Sequence, residues 1–448
     1  MAEQMKESGI QWIGAIPYNW NVERIKHIIQ NNDNGIKVGP FGSALTNEVV
    51  SSDEGKYKVY GQSNLIRKDF SYGDNYVSEQ NYKRLINYEV LPNDIAVSMM
   101  GTIGKCSVVP GNIEPGIMDS HLIKIRLSQK MLPRYFEYAY ESDMGYSQLL
   151  INSKGSIMNG LNSTIVKGLY IPVPEIIEQQ AIVDFLDKEC AQIDSIAADL
   201  EKQIELLQQY KKSLITETVT KGLDKSAPMK DSGNSIIGSI NCCYTTKKLK
   251  YIVETPITDG PHETPALVDD GIPFLSAESV KNGILDFEYK RGYISESDHK
   301  FFCKKIKPQK NDVFIVKSGA TTGNVGIVTV DQEFSIWSPL ALIRCDDKTV
   351  LQKFIYYCVS SNYFKHEIEQ AWSYGTQQNI GMGVIENLTV VIPPIDEQKR
   401  IVHYLDDVLA SMDEMTIDKT KQLEIIQQHK KSLIYEYVTG KKRVKEVR

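Results

Sequence analysis

The 448-residue chain is poor in the features that announce chemistry. Its seven cysteines are scattered without a C-x-x-C pair, Cys242 and Cys243 being adjacent. That usage suits a reducing compartment and excludes a disulfide framework or a cysteine zinc site. The seven histidines, at 27, 121, 262, 299, 366, 403 and 429, follow no metal-ligand spacing. The P-loop pattern does not occur, because Gly101 to Lys105 (GTIGK) is followed by Cys106 and reads as a structural turn. There is no G-x-G-x-x-G after a strand and no [DN]-P-P-[YF] tetrapeptide, so dinucleotide binding and amino-methylation of a base have no support. Long hydrophobic runs are missing too, which leaves no signal-peptide core or membrane span and makes a cytoplasmic location the expectation.

An excess of one charge is also lacking. Net charge is −6; residues 1–170 carry 17 basic and 17 acidic side chains, whereas residues 171–222 carry 5 basic and 10 acidic. Basic clusters stand at Arg67-Lys68, Lys83-Arg84, Lys247 to Lys250, Lys304 to Lys310 and Lys441 to Arg448, and such clusters are most often solvated faces.

The most informative absence is that of glycine and proline from Glu178 to Lys221 and from Asp396 to Thr439. These stretches belong to a gap-free repeat, Pro174–Thr220 against Pro393–Thr439, in which about 24 of 47 paired positions are identical. A repeat of this length dictates architecture. Ile182, Leu186, Ile193, Leu200, Leu207 and Leu214 form an apolar seam, with Ile196 and Ile204 beside it. Ile401, Leu405, Met412, Ile426 and Leu433 hold the seam of the second copy, with Lys419 as its polar break. Sustained seven-residue spacing predicts coiled-coil rods, each roughly 64 Å long at ~1.5 Å per residue. Paired antiparallel, the rods create a pseudo-twofold axis with the globular parts at opposite ends, the geometry of a spacer.

The repeat extends beyond the rods. Glu7 to Ile28 returns, degenerate, as Asp231 to Ile252, so the N-terminal leader should pack near the end of the second rod. Asn93-Asp94-Ile95 and Asn311-Asp312-Val313 each open a strand–glycine-turn–strand unit. Ser120 to Arg126 matches Ser338 to Arg344, and helical segments follow near 134–152 and 350–372. Then come polar loops, Lys154 to Asn159 and Tyr374 to Asn379. The frame repeats while the loop contents differ, which suggests two related ligands.

Loops rich in Ser, Thr, Asn, Gln and Gly beside isolated Lys and Arg suit recognition of base edges and phosphates. In the first module the candidates are Gln62, Asn64, Lys68, Thr102, Lys105, Lys154, Ser156 and Asn159. In the second they are His262, Thr264, Lys317, Thr321, Thr322, Asn324, Tyr374, Thr376, Gln377, Gln378 and Asn379. The same residue types also cap turns.

Over essentially its full length the chain resembles the DNA-specificity (S) subunits of type I restriction–modification systems. The resemblance rests on the Ser-Gly-Ile-x-x-Ile-Gly leader, the loop from Gly260 to Pro265, and Phe274 to Glu278. It rests also on the Asn-Asp-Ile/Val strands, the Gly375 to Asn379 loop, and the Ile-Pro-x-Pro…Glu-Gln entry to both rods. In the first module Gly39 to Ser43 and Ser156 to Asn159 depart from the pattern, which implies a different half-site. The fold class implied is α+β: two α/β target-recognition domains separated by two long antiparallel coiled-coil helices. The boundaries are 1–173 for the first recognition domain with its leader, 174–222 for the central helix, 223–392 for the second domain, 393–440 for the C-terminal helix and 441–448 for a basic tail.

The resemblance implies a non-catalytic chain binding double-stranded DNA, each domain reading half of a split, asymmetric site. The helices set the gap and dock two methyltransferase (M) subunits, and restriction (R) subunits join the complex. No cofactor is expected on this chain; S-adenosylmethionine, ATP and Mg²⁺ belong to the partners. Two other readings stand beside this one: a coiled-coil scaffold with two protein-binding modules and no DNA contact, and an enzyme acting on nucleic acid through an unrecognised site.

Overall fold

The computed structural model describes residues 4–31, 35–40, 44–45, 50–51, 56–101, 103–153, 161–371 and 379–444. Two long helices dominate it, Ile176–Lys221 and Ile395–Val438. Each has a proline one or two residues before it (Pro174, Pro394), carries acid in its first turn and stops just before a glycine in the left-handed region, Gly222 (φ 82°) and Gly440 (φ 70°). Acid at the start complements the helix dipole, and a left-handed glycine closes the last turn without a Cβ penalty.

The chain forms two compact units, Met1–Leu200 with Lys421–Arg448, and Glu201–Thr420. Both helices contribute to both units, and within each unit the two helical segments run antiparallel. In the first unit Lys430 Nζ lies 2.6 Å from Asp194. In the second Lys211 pairs with Asp413, and Lys419, the polar break in the seam, donates to Gln203 Oε1 at 2.5 Å. Ile182, Leu186, Ile193, Leu200 and Leu433 are buried in the first unit, with Ile426 partly so; Leu214, Ile401, Leu405 and Met412 are buried in the second, with Leu207 partly so. Ile196 departs from expectation, being 48% exposed. At about 100° per residue it sits ~60° off the line through Ile193 and Leu200, outside the narrow seam that one partner helix covers.

The first unit contains a four-stranded antiparallel sheet ordered Ile36–Val38, Leu122–Ile125, Ile95–Ser98, Cys106–Val108. A second sheet pairs Tyr57–Tyr60 in parallel with Gly116–Met118 and antiparallel with Tyr76–Val77. In the second unit the corresponding strands, Leu340–Ile343, Val313–Val316 and Val325–Ile327, lie in a six-stranded sheet. A three-stranded sheet there joins Ile272–Leu275 to Ser335–Ile336 in parallel and to Gly292–Ile294 antiparallel. The central strands VFIV and LALI are buried at every position, so they read as continuous apolar runs without alternation.

The repeated motifs have physical causes. Asn93 and Asn311 adopt φ of 66° and 70°, a conformation asparagine tolerates better than bulkier residues. The aspartate that follows accepts two hydrogen bonds from an arginine on the neighbouring strand: Asp94 from Arg126 at 2.8 and 3.2 Å, Asp312 from Arg344 at 2.7 and 2.6 Å. Gln179 and Gln398, both fully buried in the Glu-Gln entries to the long helices, tie those entries to the N-terminal ends of the earlier helices Pro133–Glu141 and Gln352–Val359. Gln179 Oε1 accepts from Leu132 N (2.8 Å) while its Nε2 donates to the carbonyls of Lys130 and Pro174. Gln398 repeats this with Leu351 N (2.9 Å), Thr349 and Pro393.

The leader packs where the repeat predicts. Ile13, Ile16 and Trp20 share a core with Leu433 and Val438, and Lys441 Nζ donates to Ile13 O at 2.7 Å. Ile240 and Tyr244 do the same against Leu214, Ile215 and Val219. The helical segments near 134–152 and 350–372 are instead two helices each, Pro133–Glu141 with Asp143–Ser153 and Gln352–Val359 with Asn362–Gln370. Ser142 and Ser361 turn extended and accept from the amide three residues on, so an N-cap restarts the helix in both modules.

Candidate nucleic-acid interface

In the second unit three segments meet at the end of strand Val313–Val316. Asp259 lies at their centre, its carboxylate 2.5 Å from Lys317 Nζ, 2.6 Å from Lys305 Nζ and 3.3 Å from His262 Nε2. Burial works to raise the Asp259 carboxyl, and the hydrogen bonds from Lys305 and Lys317 outweigh it, holding it below the ordinary carboxylate range. Gly260 must be glycine, since a Cβ there would stand 2.2 Å from Ile336 O. The next segment follows Lys317: Gly319 and Gly323 take φ of 104° and 88°, and Thr322 Oγ1 bonds back to Gly319 O at 2.6 Å. Asn379 completes the group by bridging Ser318, with Ile380 N donating to Lys317 O at 2.7 Å.

The first unit repeats the layout with other side chains. Gln62 starts the helix Gln62–Arg67 and donates to Ser98 Oγ (2.9 Å) and Met100 O, which pins the turn after strand Ile95–Ser98. Leu161 N donates to Met99 O at 2.9 Å, as Ile380 does to Lys317. Asp119 accepts from His121 N at 2.8 Å and lies 3.3 Å from His121 Nδ1; burial raises its carboxyl above the ordinary range despite those contacts.

The candidates therefore divide. His262, Thr264, Thr321, Asn324 and Asn379 are exposed around the second-unit turn and offer polar atoms to a ligand. Thr322 is buried and Lys317 nearly so, both spent on holding the turn. In the first unit Gln62 is half-buried and Lys105 exposed, 3.9 Å from Glu141. Lys68 pairs with Glu137 at 2.5 Å and Glu141 at 3.4 Å, so its charge is largely offset. Asn64 is buried, accepting from Gly61 N and donating to the carbonyls of Asp69 and Tyr72. It caps a turn, as the buried Ser279 does for Ser276 in the other unit, and presents nothing to a ligand. Thr102, Lys154, Ser156, Asn159, Tyr374, Thr376, Gln377 and Gln378 lie outside the described residues.

Asp259 and Lys305 were not legible as site residues, since 46 positions separate them. Among the described residues no group of three His, Cys, Asp or Glu is placed to hold a metal, and no helix is long and apolar enough to cross a membrane.

The family model described as the type I restriction modification DNA specificity domain matches the chain twice, over residues 39–206 and 255–425. The chain belongs to that family. Each match takes in one set of reading segments and the adjoining part of a long helix. Among the relatives of this DNA-specificity chain, the type I restriction enzyme EcoBI specificity subunit of Escherichia coli is 26% identical over 347 residues, 73% of this chain and 69% of the relative. The putative MjaX specificity subunit of Methanocaldococcus jannaschii is 25% identical over 446 residues, 97% and 96% of the two chains. A chain solved in work on complex assembly and conformational transition of the type I R-M system superposes with a TM-score of 0.69 at 15% identity, covering 94% of this chain and 98% of that one. The HsdS subunit from Thermoanaerobacter tengcongensis gives 0.50 at 13% identity, covering 95% and 98%. At these identities the structural likeness establishes the fold.

Proposed function

We propose that this chain reads a split, asymmetric sequence in double-stranded DNA as the specificity subunit of a type I restriction–modification complex. One observation carries the reading: two modules of the named family share one frame, down to the Asp–Arg pairs and glutamine ties, yet present different side chains at the same turns. A duplicated frame with divergent loops suits two different half-sites. Exposed Thr, Asn and His side chains supply donors and acceptors for base edges, and glycine turns let backbone amides approach phosphate.

In this reading the two long helices set the unspecific gap between half-sites and dock two methyltransferase subunits. Exposed apolar side chains on them, among them Ile177, Leu206, Tyr210 and Ile425, suit protein partners. S-adenosylmethionine, ATP and Mg²⁺ reside on the methyltransferase and restriction subunits, and this chain supplies recognition without catalysis. The scaffold reading has no observation of its own in its favour.

Co-expression with the methyltransferase partner, followed by sequencing of methylated adenines, tests the proposal. The expected result is a single bipartite motif, absent when this chain is omitted. Methylation without a motif, or methyl transfer by this chain alone, would overturn it.

A further inference from the structure

Arg291 and Trp337 form a pair that the reading loops described above do not include. The Arg291 guanidinium lies over the Trp337 ring, 4.1 Å from its centroid, and Nη1 is 3.4 Å from Glu278. Arg291 is 38% exposed at its side chain. The ring is held from within the fold, since Phe274 stands 6.5 Å away and Trp337 N donates to Leu275 O at 2.9 Å. The pair belongs to the reading surface: Ser338 N, next in the chain, donates to Pro261 O at 3.2 Å, and Lys317 N to Pro339 O at 2.8 Å. Trp337 Nε1 is enclosed and meets no acceptor among the described residues. An unmet buried donor destabilises, and phenylalanine would fill the place without one, so the indole is accounted for by its face.

The first unit has neither residue. Asp119 N donates to Tyr60 O at 2.8 Å just as Trp337 N does to Leu275 O, which places Asp119 at the position of Trp337. The strand registers, Tyr57 opposite Val77 and Ile272 opposite Ile294, place Asp74 at the position of Arg291. One module thus sets a guanidinium over an indole where the other sets the exposed Asp74 and the partly buried Asp119. A frame that keeps its buried pairs yet reverses charge at one exposed point varies there for what it binds.

We propose that Arg291, held over the Trp337 ring, is a specificity-determining residue that reads a guanine in the half-site of the second unit, with Trp337 as its positioning residue. A guanidinium fork matches O6 and N7 of guanine with two parallel hydrogen bonds, and stacking on an aromatic face fixes its plane beforehand. The same fork fits a phosphate, which carries no sequence information. The proposal rests on the DNA-reading function above.

The test uses the full chain in complex with its methyltransferase partner, as wild type, R291A, R291K and W337F. Methylated sites are sequenced, and binding is measured on duplexes in which each pair of the second half-site is changed in turn. R291A is expected to lower discrimination at one G·C pair by about five- to a hundred-fold and to leave the first half-site unchanged. R291K keeps a donor for guanine but replaces the planar fork with a flexible ammonium, so it should weaken discrimination at that same pair less than R291A does, and it carries the test if R291A does not fold. W337F should weaken discrimination at that pair and no other. Unchanged discrimination in R291A and R291K overturns the proposal. So does a uniform loss on every sequence with the log–log salt slope reduced by about one, the signature of a phosphate contact. A wild-type complex with no sequence preference would overturn the DNA-reading function itself, and this inference with it.

Discussion

Asp259 holds Lys305 and Lys317 on the two oxygens of one carboxylate, which ties the Gly260 loop to the strand end that carries the glycine turn. With its side chain 8% exposed, its removal leaves two ammonium groups facing a partly dry site. Charge-assisted hydrogen bonds of this kind contribute about 1.5–3 kcal/mol, so Asp259→Asn should destabilise the second unit by that order. Its carboxyl is depressed in the folded chain, so the stabilisation is fully present above the unfolded value near about 3.9 and is lost as pH falls through the folded value. The melting-temperature gap between wild type and Asp259→Asn should be constant from pH 8 to about 5 and begin to narrow as pH falls below about 4. A gap unchanged at pH 3 would show that the pair does not act through its charge. Asn64 gives the opposite lesson: a residue type suited to base reading is consumed by its own turn.

At the scale of elements, the two glutamines at the long-helix entries act as matched clamps. Each makes three hydrogen bonds from a fully buried amide. Gln179→Ala would leave the Leu132 amide and two carbonyls without their partner, at about 1–3 kcal/mol for each buried group that water cannot reach. A loss of about 2–4 kcal/mol is expected in thermal or urea unfolding of the first unit, and a similar loss for Gln398→Ala in the second. The effects should add in the double variant, because the two clamps share no residue. Gln179→Glu keeps the acceptor but loses the two donations from Nε2, so it should not rescue stability. Hydrogen exchange at Leu132 and Leu351 would localise each effect.

At the scale of the whole molecule, the helix pairing determines how the proposed ruler is to be tested. An insertion near Val219 would strike a buried residue packed against Ile240 and Tyr244. The ion pairs Asp194–Lys430 and Lys211–Asp413 each lie within a single unit. Four residues inserted after Leu200, matched by four after Thr420, therefore keep both registers. The addition gives ~6 Å of rise and ~40° of excess rotation, close to in phase. At ~3.4 Å per base pair the gap between half-sites should lengthen by about one or two base pairs, with both half-site sequences unchanged. Two-residue insertions at the same points add ~200° and should abolish methylation of the bipartite site. Methylated-site sequencing decides it: a constant gap with an altered half-site would mean that the helices are not the ruler.

The long helices, their seam, the leader's resting place and the duplicated Asn-Asp strands were all legible in the chain, because each depends on periodicity or on a repeat at constant offset. Such signals lie within one stretch of sequence or between its two copies, and a helix or strand expresses them almost independently of what surrounds it. The break at Ser142 and Ser361 was legible in kind, as an N-cap serine, but the apolar pattern on both sides concealed it. The site was another matter. Which lysines are free and which are bound depends on partners far along the chain: Lys305 on Asp259, Lys68 on Glu137 and Glu141. Arg291 and Trp337 acquire a joint role only because strand Ile272–Leu275 pairs with Gly292–Ile294 on one side and Ser335–Ile336 on the other. Local propensity makes the elements; strand pairing decides which distant side chains meet, and that juxtaposition leaves no mark on composition or spacing.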